Sequence, residues 1–128
     1  MTLEYGFFIS EYPNHQFIRP KEFRERFPNR TLDIFDAVFA FSSIEHSGLG
    51  RYGDPLNPWG DIISIAQAWC VSTPDAKLAI AVPTNITGQD RIEFNAHKVY
   101  GPRMYPFLVT NWNFIWPEKG TRQTKVIL

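Results

Sequence analysis

Residues 42–61, SSIEHSGLGRYGDPLNPWGD, carry the densest set of reactive side chains in the chain. Glu45 and His46 are adjacent, and Arg51 and Asp54 follow within a few residues. Histidine titrates near neutrality and a carboxylate can orient it, so Glu45 and His46 suit proton transfer or polar contact with a ligand. The alternative is that both cap the ends of a strand and a helix. Arg51 and Asp54 fit a salt bridge with each other, the simpler use, or contacts to a ligand. The glycines of GLGRYGD match neither a dinucleotide fingerprint nor a phosphate loop, and their use is to permit unusual backbone angles. A second polar stretch, FNAHKVYGP at residues 94–102, supplies Asn95, His97 and Tyr100. It either faces the first loop or is a polar connection whose tyrosine packs on the core.

Other chemistries find less support. His15, His46 and His97 show no metal-ligand spacing, and one cysteine cannot build a structural zinc site. A metal is therefore not expected, although Glu45, His46 and Asp54 contain donor types for one. No nucleophile elbow marks the chain as a hydrolase.

These loops need elements to hold them. The run TLDIFDAVFAF, residues 31–41, is too apolar for a half-exposed strand and predicts a central strand covered on both faces. After the loop, Asp61 is placed to N-cap a helix over IISIAQAWCVS, and AKLAIAV predicts a second buried strand ending at Pro83. Strand, helix and strand over residues 34–83 form one βαβ crossover. Ligands of open α/β sheets bind beyond the carboxyl ends of the strands, where Ser42, Ser43, Glu45 and His46 fall. Upstream, LEYGFF and QFIRP predict short strands, and PKEFRERF a short helix begun by Pro20 with Phe23 and Phe27 on one face. Downstream, RMYPFLV predicts a short helix interrupted at Pro106. NWNFIWP and QTKVIL predict an antiparallel hairpin.

Bulk properties set the frame. A chain of 128 residues that is 44% hydrophobic and 16% aromatic suits one packed α/β domain. Thirteen basic residues balance thirteen acidic ones, so no general field draws it to nucleic acid or to anionic lipid. No run approaches the roughly 18 apolar residues of a membrane span, and the N-terminus lacks a signal-peptide pattern, which predicts a soluble cytoplasmic protein with no membrane partner. Cys70, alone in an apolar stretch, reads as a small buried hydrophobe.

The Asp-Ala-Val strand, the loop SSIEHSGLGRYGD, and then FNAH and YGP together resemble a family rich in nematode members, domain of unknown function 268, over nearly the whole chain. That family in turn looks like the class I S-adenosylmethionine-dependent methyltransferases. The resemblance implies a Rossmann-like sheet with a C-terminal antiparallel hairpin, residues 35–41 its fourth strand and 77–82 its fifth. It implies Glu4, in a second strand, against the cofactor ribose. Ser42 and Ser43 lie along the cofactor, His46 is the base beside Glu45, and Arg51, Tyr52, Asp54, Asn95, His97 and Tyr100 surround an unknown small-molecule acceptor. The first strand and glycine-rich turn of that class are missing from this sequence. The resemblance therefore implies a methyltransferase-derived domain, weakly active or inactive alone. The alternative is a non-catalytic interaction module that self-associates or binds a partner chain through an open sheet edge and the aromatic C-terminus.

Overall fold

A computed structural model describes residues 1–6, 9–85 and 88–113. The chain forms two compact units, Met1–Asp33 and Ile34–Leu128. Its described residues make a small mixed fold of helices and three two-stranded sheets.

In the first unit, β1 (Thr2–Leu3) pairs in parallel with β2 (Phe17–Ile18), and the helix α1 spans Pro20–Arg26. Proline fits the first helical turn, where no backbone donor is needed. Phe23 and Phe27, one turn apart, stack with ring centroids 5.7 Å apart, as their spacing predicts. The strand expected over LEYGFF is shorter: Tyr5 and Gly6 form a bend, and Phe7 and Phe8 lie outside the described residues. The physical reason is local. The Glu4 carboxylate accepts the Tyr5 N–H at 2.7 Å, and a side chain that takes up a backbone donor competes with the ladder.

The second unit is built on β3 (Phe35–Phe41), the helix α2 (Gly60–Cys70) and β4 (Ser72–Ala81). β3 and β4 run parallel, in continuous register from Ala37↔Lys77 to Phe41↔Ala81, so the expected βαβ unit is present. Its core is Ile65 of α2, Leu78 and Ile80 of β4, Tyr100 and Leu108, with Val38 and Ala40 of β3 packed against them. Fully burying a side chain such as Ile65, 2% exposed, contributes about 1.5–3 kcal/mol.

Four expectations are corrected here. β3 is not covered on both faces: Phe39 and Phe41 are 68% and 59% exposed. Alternation along the strand turns Val38 and Ala40 to the core, and leaves Phe39 and Phe41 to stack on each other at 6.4 Å. Asp61 is not the N-cap of α2. Trp59 holds that position, and Asp61 lies in the first turn with its carboxylate directed to other partners. Cys70 is exposed because it ends the helix on the side away from the core. Pro106 does not interrupt the last helix, α3 (Tyr105–Leu108). It occupies the first turn, where its missing donor costs nothing.

The polar stretch before α3, read from sequence as irregular, holds an antiparallel hairpin of β5 (Arg91–Glu93) and β6 (His97–Val99). Of the hairpin expected at the C-terminus, residues 111–113 are turn and coil, and 114–128 lie outside the described residues.

Candidate functional site

The carboxyl end of β3 bends sharply. Ser42 still donates its N–H to Ala81 O at 2.8 Å, but adopts a positive φ of 48°, unusual for a residue with a side chain. The turn brings Glu45 and His46 back beneath the strand end as a short 3₁₀ segment, Ile44–His46. Ser42 Oγ donates to Glu45 Oε1 at 2.9 Å. Glu45 is 1% exposed, and its second oxygen, Oε2, is buried with no hydrogen-bond partner in the structure.

His46 is held from the hairpin. Its Nδ1 lies 2.5 Å from Ala96 O, the carbonyl just before β6. A carbonyl only accepts, so Nδ1 carries the proton. In the neutral ring Nε2 is then bare, and it lies 3.8 Å from Glu45 Oε1. Two further rings meet the imidazole edge-on, Tyr52 at 5.6 Å and His97 at 6.4 Å between centroids. The Arg51 guanidinium lies 5.7 Å from the centre of the Tyr52 ring.

The long loop is closed by its own backbone. Asp54 accepts N–H groups from Gly48 at 2.7 Å and Tyr52 at 3.2 Å. Partial burial pushes its carboxyl up, but backbone donors at Tyr52, Gly50 and Gly48 outweigh burial and hold it below the usual range. Gly48, Gly50 and Gly53 all take positive φ, as the glycine-rich pattern suggested.

Beneath the loop lies a fully buried polar cluster. Lys98 of β6 donates from Nζ to Asp61 Oδ1 at 2.6 Å and to Pro58 O at 2.8 Å, and Tyr100 OH donates to Asp61 Oδ2 at 2.7 Å. Asp61 and Lys98 are 0% exposed and Tyr100 1%. These bonds tie β6 and Tyr100 to the first turn of α2 and the residues just before it.

The model of the family described as "Caenorhabditis protein of unknown function, DUF268" matches residues 10–127. The chain belongs to that family. No curated protein and no solved structure matches it.

In this DUF268 chain, the sequence-derived residues divide by position. Ser42, Glu45, His46, Tyr52 and His97 converge, Arg51 joins them through Tyr52, and Tyr100 lies in the layer below. Three others of the same unit, Ser43, Asp54 and Asn95, do not converge. Ser43 is exposed, and its carbonyl accepts the His46 N–H at 3.2 Å. Asp54 binds loop backbone rather than Arg51. Asn95 is an exposed turn residue with φ of 54° between β5 and β6. Glu4 belongs to the first unit, with its carboxylate on Tyr5 N–H. Among the described residues no group of three His, Cys, Asp or Glu side chains is arranged to hold a metal. No helix among them is long and apolar enough to cross a membrane.

Sequence reasoning missed Lys98 and the carbonyls of Pro58 and Ala96, and gave Asp61 a different task. No local signal marks Lys98, because β6 is only three residues long and the burial of Lys98 follows from partners far away in sequence. A cavity of about 560 Å³ lies at the other end of α2, between Trp69, Cys70, Lys77 and Trp112, and none of the sequence-derived residues lines it.

The cluster has a pH consequence. Burial first, then the Asp61 charge and hydrogen bond and the Glu45 charge, push the Tyr100 phenol far above its usual value. In the unfolded chain this tyrosine ionises near pH 10, so above that pH the unfolded state binds fewer protons than the folded one. Stability therefore falls as pH rises, by about 1.4 kcal/mol per unit from this group. Urea unfolding between pH 9 and 11 reads the slope, and Tyr100→Phe flattens it. A tyrosinate absorbance that develops fully while the protein stays folded contradicts it.

Proposed function

We propose that this chain is a methyltransferase-like domain of the S-adenosylmethionine-dependent type, Rossmann-like in derivation, with His46 as its proton acceptor. The observation that carries this reading is the His46 ring: its Nδ1 proton is fixed on Ala96 O, and its Nε2 is bare beyond the carboxyl end of a parallel strand. The residues fit such a cofactor in one testable respect. Glu45 Oε2 is a buried acceptor without a donor, and the hydroxyl and amino groups of the cofactor are donors. Glu45 and Ser42 are the residues proposed to hold it.

When bound, S-adenosylmethionine supplies an electrophilic methyl group. The chain contributes orientation and one proton transfer. Tyr52, His97 and Arg51 hold the small-molecule acceptor, and His46 Nε2 takes its proton as the acceptor heteroatom gains the methyl group. Tyr100, kept protonated, supports Asp61 from below.

Titration calorimetry with S-adenosylhomocysteine tests the reading. Binding at micromolar strength is expected, weakened about tenfold or more in Glu45→Gln and changed little in His46→Asn. Absence of binding to folded protein ends it. A second reading, a non-catalytic interaction module, is favoured by the exposed Phe39–Phe41 pair on β3. It expects a dimer or larger species in light scattering that Phe39→Ser with Phe41→Ser returns to monomer.

A further inference from the structure

The β5–β6 hairpin has only three residue pairs, Arg91↔Val99, Ile92↔Lys98 and Glu93↔His97. So short a ladder specifies its register weakly, and a slip of one residue sends every side chain to the opposite face. The register nonetheless matters to His46. Ala96 O meets Nδ1 because Ala96 directly precedes β6, and a slip brings a different backbone group to the imidazole.

Lys98 is the side chain that distinguishes the registers. It is 0% exposed, and its ammonium reaches two acceptors from one point, Asp61 Oδ1 at 2.6 Å and Pro58 O at 2.8 Å. Turned to the other face, it loses both. A buried ion pair contributes little net stability compared with apolar side chains of the same size, and the best attested use of such groups is to select one arrangement among several.

We propose that Lys98 is a positioning residue: by pairing with Asp61 it fixes the hairpin register, which places Ala96 O on His46 Nδ1 and keeps Nε2 as the bare, proton-accepting nitrogen. The inference rests on the reading of His46 as the base, yet concerns a property of the ring that exists without any cofactor. It adds to the site two residues, Lys98 and Asp61, whose side-chain hydrogen bonds go to each other, to Pro58 and to Tyr100 rather than to His46.

The test is the tautomer of His46, read by nitrogen NMR of the imidazole rings in protein labelled at histidine. Signals are assigned by His15→Gln, His46→Asn and His97→Gln. In the unmodified protein His46 is the Nδ1–H form. In Lys98→Met, and in the double variant Asp61→Leu with Lys98→Met that removes both charges, at least half of His46 changes to the Nε2–H form. Tyr100→Phe is the decisive comparison, because it deletes a bond to the same carboxylate and leaves Lys98 paired. It keeps His46 as Nδ1–H. An unchanged His46 in the folded double variant overturns the proposal, and so does an equal change in Tyr100→Phe, which marks general loosening of the core. Because the cofactor analogue is absent from these samples, failure here is separate from failure of the calorimetric titration.

Discussion

Replacing Lys98 with Met destabilises the protein by about 3–5 kcal/mol, measured by urea unfolding at neutral pH. The cause is the charge left behind. Asp61 is 0% exposed and takes two hydrogen bonds, from Lys98 Nζ and Tyr100 OH. Without Lys98, only the tyrosine faces a carboxylate sealed from water. Pro58 O loses its donor in the same step. The double variant Asp61→Leu with Lys98→Met restores most of the loss, because it removes both desolvated charges together. A loss under about 1 kcal/mol in the single variant shows that water reaches Asp61 and that the cluster is less sealed than its geometry indicates.

Gly48→Ala is the second large effect, and its origin is backbone rather than charge. Gly48 has φ of 81°, which costs an alanine about 1–2 kcal/mol. A Cβ there also lies 1.9 Å from Asn57 O and 3.2 Å from Gly60 Cα. Those atoms cannot yield independently, since Asn57 donates its N–H to Gly48 O at 2.9 Å and accepts that of Gly60 at 3.0 Å. Overpacking against fixed backbone adds about 1–3 kcal/mol, for a total near 2–5 kcal/mol. Gly53→Ala is the control. It has φ of 78° but nothing within 4 Å of an added Cβ, so it meets only the backbone cost. Thermal unfolding of the two variants separates the contributions, and equal losses contradict the collision. The substitution also reaches the site. Gly48 lies two residues beyond His46 and donates its N–H to Asp54, which also accepts from Tyr52, so displacing it alters His46 and Tyr52.

Much of the second unit is readable locally. The apolar run at 35–41, the helical spacing after residue 60 and the run ending at Ala81 each carry a period that neighbouring residues set, and all three elements form. The loop is readable for the same reason: glycine adopts positive φ at least cost, and GLGRYG supplies one at each of the three places where the loop does so. The misjudged features depend on what lies opposite an element. Apolar composition alone does not tell a strand covered on two faces from one covered on one, and so places Phe39 and Phe41 inside. An acid at a helix start has a local use as a cap, whereas the partners of Asp61, Lys98 and Tyr100, are 37 and 39 residues away.

The sequence by itself determined the reactive loop, its glycine turns and the strand that delivers Ser42, Glu45 and His46, because these follow from steric and periodic rules acting over a few residues. Only the tertiary structure decided which of those groups meet and in what protonation form. The His46–Ala96 bond spans 50 residues, and the buried Lys98–Asp61 pair exists only once β6 lies against α2. Such contacts form when chain closure and exclusion of water make an unpaired polar group costly, a condition that no short stretch of sequence contains.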